Sequence, residues 1–392
     1  SYHSAGTCTF YGTANSNQMV LEAMGLQMPG SSFVNPENPL RDKLTSEAAY
    51  QLARITALGN DYRPVGEVVD ARAVVNGTVA LMASGGSTNH TMHLVAMARS
   101  AGIILNWDDI SDLSAAVPLL ARVYPNGQAD VNHFHAAGGT SCMFRQLLDA
   151  GFMHGDAKTS WGRNFSDFTQ EPKLDADNKI VWQESPLVPL DTEVLTTVDK
   201  PFSSEGGLRL MDGNLGRGVM KVSAVALENQ IVEAPAVVID AQDDLEPLFK
   251  SGSLDRDCVV VVRFQGPKAL GMPELHKLMP FLGTLQDKGF KVALVTDGRM
   301  SGASGKVPAA IHMVPEAACG GLLAKIRDGD MLRVDGVSGE LAFKGDQAEF
   351  EARDNAPQPN AGQRGCGREL FAINRDSISS AEQGASYLFG GE

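Results

Sequence analysis

The residues best suited to chemistry lie in DGRMSGASGK, residues 297–306. Ser301 and Ser304 offer hydroxyls, Arg299 and Lys306 offer cations, and Asp297 offers a carboxylate. Gly302 and Gly305 let backbone amides approach a ligand closely. The preceding run, Lys291 to Thr296, is apolar and β-branched enough to be a buried strand, and the following VPAAIHMVPEA reads as helical. A strand ending in such a loop is where α/β proteins place ligands. A solvated glycine-rich turn would have a similar composition. A phosphate loop of the NTPase type would not. It needs Gly, four residues, then Gly-Lys-Ser/Thr. Here Gly305-Lys306 is preceded at that position by Met300 and followed by Val307.

Two further stretches hold candidate groups. Cys8 sits in a small, polar loop just upstream of a helix beginning near Asn15 to Asn17. The apolar face of that helix is Met19, Val20, Ala23, Met24 and Leu26. Small neighbours admit a bulky ligand, and helix-end amides favour an anion; a structural thiol is the competing assignment. Residues 73–101 read as two helical runs broken at Ser84 to Ser87. Ser87 or Thr88 can cap the second run, and a capped helix start behind glycine is an anion site. His90 and His93 lie three apart, on one face. No acidic or cysteine partner has metal-site spacing, so core or substrate contact is expected there rather than a metal.

Helices are expected through SEAAYQLARITAL and WDDISDLSAAVPLLARVYPNG. Asp130 and His133 sit in a turn that feeds another. From Met153 to Asp199 the pattern is polar and aperiodic, read as a linker or surface excursion. The chain is therefore divided into residues 1–180 and 181–392. The second part changes character. LRLMDGNLGRGVMKVSAV, IVEAPAVVID and CVVVVRF are strand-like, a helix starts near Pro273-Glu274, MLRVDGVSGELAFK is a hairpin, and GCGRELFAINRD is a late helix. Few crossover helices among many strands suit a mixed, β-rich, barrel-like domain with flanking helices.

The 392 residues carry a net charge of −14, which argues against a general nucleic-acid or anionic-membrane binder but not against an anionic substrate. No apolar run reaches transmembrane length, and no secretory signal pattern is present. The cysteines, at 8, 142, 258, 319 and 366, are odd in number, scattered and without a CxxC. That suits a reduced, cytoplasmic protein with thiols mostly in cores, Cys258 above all. The start at Ser1, in mid-motif and without methionine, points to a piece of a longer protein.

Five motifs resemble, in order, those of the dihydroxy-acid and 6-phosphogluconate dehydratase family. They are GTCTFYGTANSNQM, VNGTVALMASGGSTNHTMHLVAMARSAGI, GNLGRGVMK, RFQGPKALGMPELHKLMP and TDGRMSGASGKVPAAIHMVPEA. The resemblance implies an α/β fold: the remainder of a three-layer α/β N-terminal domain, then a swivelling β/β/α barrel-like C-terminal domain. It implies a cytoplasmic, homodimeric hydro-lyase, an iron–sulfur dehydratase with no nucleic-acid or membrane partner. Its substrate would be a phosphorylated sugar acid, 6-phospho-D-gluconate, converted to 2-dehydro-3-deoxy-6-phosphogluconate and water in the Entner–Doudoroff pathway. By the same resemblance Cys8 is one of three ligands of a [4Fe-4S] or alternatively [2Fe-2S] cluster. Ser301 is the base, an alkoxide whose pKa the nearby metal centre must lower. Ser87, Thr88, Asn89, His90, Gly302 and Ser304 contact substrate, and Arg299, Lys306 and Arg217 are candidates for its anionic groups. Relatives acting on unphosphorylated acids carry a magnesium-binding Glu where this chain has Gln265, a poorer ligand for a hard dication. That weakens the case for Mg2+. Some sugar-acid relatives have Thr at Ala303. The alternatives are a dehydratase of an unphosphorylated aldonic or dihydroxy acid, and a non-catalytic fragment.

Overall fold

The computed structural model describes residues 8, 10–302, 304–359, 365 and 368–389. Two compact units emerge. The first comprises the chain up to Ser87, Met97–Leu105 and Asp112–Gly207; the second comprises Thr88–Ala96, Asn106–Ser111 and the chain from Leu208 onward. Along the chain the main changeover between these units follows Gly207, and two short earlier segments group by contact with the second unit.

The first unit is helical. Helix α1 (Thr13–Ala23) begins slightly earlier than its apolar pattern indicates, and α2 (Pro39–Ile55) is longer than SEAAYQLARITAL. Pro39 at the first turn and the Asn38 side chain, which accepts from Leu40 N–H at 3.0 Å, explain that extension. The short α3 (Val65–Val68) leads to α4 (Ala71–Ser84), capped by Asp70 and ended by Gly85 in the left-handed conformation. Helix α4 is buried on nearly every side. Gly77 lets α1 approach it, since a Cβ there would lie 2.8 Å from Met24 Cγ. Helix α5 (His90–Ser100) follows the expected break, and α6 (Trp107–Ala116) stops well short of Tyr124. Asp130 caps α7 (Val131–Ala136), which precedes α8 (Gly139–Asp149).

The stretch from Met153 to Asp199 is more ordered than a linker. Strands β1 (Gln170–Leu174) and β2 (Ile180–Glu184) pair antiparallel. They bring Trp182 within 5.5 Å of Trp161 and pack Leu174 and Ile180 against Met28, Val34, Leu40 and Leu44. The hairpin escapes a pattern search because its apolar residues are sparse and meet partners far back in sequence.

The second unit is an eight-stranded sheet of order β10-β9-β5-β6-β7-β8-β4-β3. Its strands are β3 (Leu208–Gly213), β4 (Gly216–Lys221), β5 (Ile231–Ile239), β6 (Cys258–Val262), β7 (Val292–Thr296), β8 (Ala309–Val314), β9 (Met331–Asp335) and β10 (Leu341–Phe343). A bridge from Asp212 to Glu340 joins the sheet's outer edges and nearly closes it into a barrel. The central strands β5 to β8 are parallel and the flanks antiparallel. β6 and β7 are buried at every residue, as parallel strands covered on both faces must be. Helices α9 (Leu245–Lys250) and α10 (Leu278–Asp287) make the first two crossovers; α10 begins later than Pro273-Glu274. Short helices α11 (Gln347–Ala352) and α12 (Ala372–Ser377) follow the sheet. Cys366 and part of the expected last helix fall outside the described residues.

One expectation is overturned. VPAAIHMVPEA is not helical; its core is strand β8, parallel to β7. Pro308 and Pro315 bracket the segment, and each disfavours the helical region for the residue before it. The interval left between them is too short for a stable helix. The crossover from β7 to β8 is therefore the Ser301 loop itself.

In the first unit the fully buried carboxylate of Glu22 accepts from Gly30 N–H at 2.7 Å, Ser32 N–H at 3.1 Å and the Thr140 hydroxyl at 2.7 Å, and also from the Ser32 hydroxyl. Glu22→Ala strands these donors, each costing roughly 1–3 kcal/mol. Urea denaturation of the variant should show a loss of about 3 kcal/mol or more. A change within about 0.5 kcal/mol would mean that the carboxylate does not organise this region.

Candidate active-site loop

The loop is built from its first residue. Burial pushes the Asp297 carboxyl up to about 6, against the pull of backbone hydrogen bonds. It accepts from Gln265 N–H at 2.8 Å, Ala317 N–H at 2.9 Å and Phe264 N–H at 3.2 Å. The segment after β6 and the segment after β8 are thereby tied to the end of β7. Next to it, Glu316 accepts from Lys268 N–H at 2.9 Å. Burial, and then the Asp297 charge, raise Glu316 to about 7. Gly266 must be glycine here, because a Cβ would fall 1.6 Å from Glu316 Oε2. Asp297 is thus a structural staple rather than a free carboxylate of the loop.

Beyond the staple the loop is held by its carbonyls. Asn89 Nδ2 donates to the Met300 carbonyl at 3.0 Å, and Lys221 Nζ donates to that of Gly302 at 3.3 Å. Ser304 N–H closes a turn on the Ser301 carbonyl at 3.0 Å, and His312 N–H donates to the Gly298 carbonyl at 3.0 Å. His312 has φ 60° where the β4–β8 register slips, a bulge that re-aims its side chain. The ring is buried, and desolvation, then His93 and Arg299, push its pKa down to about 3. It is therefore neutral, with Thr91 Oγ1 3.4 Å from Nδ1.

Within the second unit Thr88, Ser301, Ser304 and Lys221 line a cavity of about 20 Å³. A larger hollow of about 370 Å³ in the first unit is lined mainly by apolar side chains such as Leu26, Leu44, Leu52 and Ile55, and it lacks this combination of hydroxyls and a buried amine.

The expected site residues divide as follows. Cys8 and Ser87 belong to the first unit; the remainder belong to the second. Cys8 is exposed, and Asn15 Nδ2 fixes its carbonyl at 2.6 Å and that of Phe10 at 2.7 Å. Ser87 Oγ lies 2.9 Å from Thr13 Oγ1, and Ser87 N–H donates to Ser16 Oγ at 3.3 Å. Thr88, Ser301 and Ser304 meet at the cavity, with Asn89 and Gly302 bracing the loop. His90 is buried with its ring centroid 5.5 Å from that of His93. The cations are engaged elsewhere. Arg299 pairs with Glu274 at 3.1 Å and donates to the Met272 carbonyl at 2.8 Å. Lys306 is exposed and pairs with Asp287. Arg217 contacts Asp108 at 2.8 Å and Glu382 at 3.3 Å. Lys221 was not among the candidates. Its signal is a lysine inside the apolar run of β4, between Met220 and Val222. Ala303 lies outside the described residues.

Among the described residues no set of three His, Cys, Asp or Glu side chains could hold a metal ion. Cys8 alone cannot hold a cluster, so the described residues do not form a complete cluster site. Gln265 Nε2 donates to the carbonyls of Asp240 at 2.7 Å and Arg263 at 2.9 Å. A carboxylate could not make those two bonds, so a glutamate at this position would lose these ties to the backbone.

Comparison with known proteins follows the same division. The family description "Dihydroxy-acid/6-phosphogluconate dehydratase N-terminal" matches residues 1–168, and its C-terminal counterpart matches residues 193–385. The chain belongs to this family. It is 63% identical over 385 residues to the phosphogluconate dehydratase of Pseudomonas aeruginosa, covering 98% of this chain and 63% of that protein. The Escherichia coli K12 phosphogluconate dehydratase is 60% identical over 389 residues, 99% of this chain and 64% of that protein. The dihydroxy-acid dehydratase of Metallosphaera sedula is 34% identical over 352 residues, 89% of this chain and 60% of that protein. The chain thus spans 60–64% of the length of these relatives.

The paired carboxyls give a pH signature. Both have folded pKa values above their ordinary ones, so the folded state holds extra protons between about pH 4 and pH 7. Their contribution to stability is therefore favourable at acid pH and is lost as pH rises through that window. Asp297→Asn combined with Glu316→Gln should flatten the fall in unfolding free energy across it. Parallel wild-type and variant curves in urea would contradict the shifts.

Proposed function

We propose that the protein containing this chain is a hydro-lyase that converts 6-phospho-D-gluconate to 2-dehydro-3-deoxy-6-phosphogluconate and water, the dehydration step of the Entner–Doudoroff pathway. The observation that carries this is the serine loop. Ser301 lies at the C-terminal end of a parallel strand, beside a hydroxyl-lined cavity, in a chain 63% identical to a protein named phosphogluconate dehydratase. Under this proposal the enzyme works as a cytoplasmic homodimer on a phosphorylated sugar acid, with neither nucleic acid nor membrane as partner. Among the described residues no helix is long and apolar enough to cross a membrane.

The chemistry needs a base for the weakly acidic proton on the carbon beside the substrate carboxylate. Ser301, as alkoxide, takes that proton, the neighbouring hydroxyl departs as water, and the enol tautomerises to the ketone. Thr88, Ser304 and the Gly302 backbone orient the reacting carbons, while Asn89 and His90 shape the approach. Arg299 and Lys306 would reach the phosphate or carboxylate only by exchanging their present carboxylate partners. The family implies an iron–sulfur cluster, [4Fe-4S] or [2Fe-2S], with Cys8 as one ligand. No step is drawn through it, because the described residues do not complete its site.

The test is an anaerobic assay of the full-length protein with 6-phosphogluconate, with iron and sulfide counted on the same sample. Wild type should form keto acid, and Ser301→Ala should lose at least about 100-fold in turnover at unchanged iron content. Cys8→Ser should lose iron. Near-normal turnover by Ser301→Ala would refute the base assignment. Turnover of unphosphorylated acids alone would move the substrate within the family.

A further inference from the structure

Lys221 is a buried amine that the chemistry above does not use. Its side chain is held in β4, 7% exposed, and its ammonium has no ion-pair partner among the described residues. Its hydrogen bond is to the carbonyl of Gly302, the residue after Ser301. The other residues around the cavity bear hydroxyls (Thr88, Ser301, Ser304) or are uncharged, Met279, Met300 and Ile311 among them. Among the described residues no titratable acid or base therefore faces the amine across this cavity. A charge buried without a partner is costly, and the usual relief is to shed the proton. Burial alone pushes the Lys221 amine down to about 7. A free serine hydroxyl is a poor base, and it gains strength when a neighbouring group accepts its proton.

We propose that Lys221, acting as a neutral amine, receives the hydroxyl proton of Ser301 when the serine becomes a base. This rests on the assignment of Ser301 to the dehydration. The cavity that Lys221 and Ser301 both line, about 20 Å³, has room for one water-sized group, so a proton can pass between them directly or through one water. The step balances. The Ser301 O–H bond breaks and an N–H bond forms on Lys221, leaving alkoxide and ammonium. The alkoxide then takes the proton beside the substrate carboxylate. The ammonium then releases its proton to water, which balances the hydroxide that departs, so serine and amine return to their starting states. Lys221 is a positioning residue here, acting through Ser301.

The experiment compares full-length wild type with Lys221→Met, Lys221→Ala and Lys221→Arg, purified anaerobically with matched iron content. Wild-type turnover should rise with pH through the neutral range as the amine is freed. Lys221→Met should fall at least 100-fold and lose that limb, and added methylamine should partly restore Lys221→Ala. Lys221→Arg should remain inactive, because a guanidinium does not release its proton. Activity in the Arg variant near wild type, or a Met variant with an unchanged pH limb, overturns the proposal. A second readout needs no substrate: sulfonylation of Ser301 by methanesulfonyl fluoride, located by mass spectrometry. Labelling should rise through neutral pH in wild type and drop at least tenfold in Lys221→Met. Labelling that is absent from Ser301, or equal in both proteins, also overturns it. A wild type that labels as expected yet forms no keto acid from 6-phosphogluconate would sink the dehydratase assignment while sustaining the serine–lysine pair.

Discussion

The carboxylate of Asp297 closes the second unit around its loop. Three backbone amides, from segments following β6 and β8, converge on its two oxygens in a site that excludes water. An ionised group in such a place is tolerated only while its hydrogen bonds are complete. The position of each segment is therefore coupled to the others. Gly266, pressed against Glu316, and Gly298, which would clash with Gln265 if it carried a Cβ, show how tightly they pack. The Ser301 loop inherits its position from this arrangement. The hydrogen bonds that Asn89, Lys221 and the Ser304 amide make to it fall on its carbonyl oxygens.

The polarity around Ser301 follows from the same economy. Arg299 and Lys306, the conspicuous cations of the loop, are matched with Glu274 and Asp287. Among the described residues Lys221 has no such match, and its neighbours around the cavity are hydroxyls and uncharged side chains. The exposed Lys306 suits capture of an anion in solution, where screening is strong. The buried amine suits control of a proton, where the low dielectric shifts ionisation most. Family membership and the serine loop together support the proposed chemistry, a proton removed beside a carboxylate.

Much of this was legible in the sequence where the pattern is local. The all-apolar runs of β6 and β7, the glycine break before α5 and the turn of the β9–β10 hairpin each declare themselves within ten residues. Other features depend on partners distant in sequence. The β1–β2 hairpin has few apolar residues and is held by tryptophan contact with Trp161. β8 looked helical because Ala309, Ala310 and Met313 are good helix formers, and only the two flanking prolines and the neighbouring parallel strand decide otherwise. The roles of Asp297 and Lys221 were hidden for the same reason. A carboxylate in a glycine loop reads as a ligand group until three amides are seen to converge on it. One lysine in a strand reads as an edge residue until its burial is known.

The most direct test of the account is isotopic. Full-length protein would be given 6-phosphogluconate deuterated on the carbon beside the carboxylate, under anaerobic conditions, and deuterium release to water followed together with keto-acid formation. The account predicts that wild type releases the label with a primary isotope effect, and that Ser301→Ala still binds substrate and keeps its iron but releases no label. Release by Ser301→Ala at a rate near wild type would show that another group takes the proton, and the serine loop would lose its place at the centre of the chemistry.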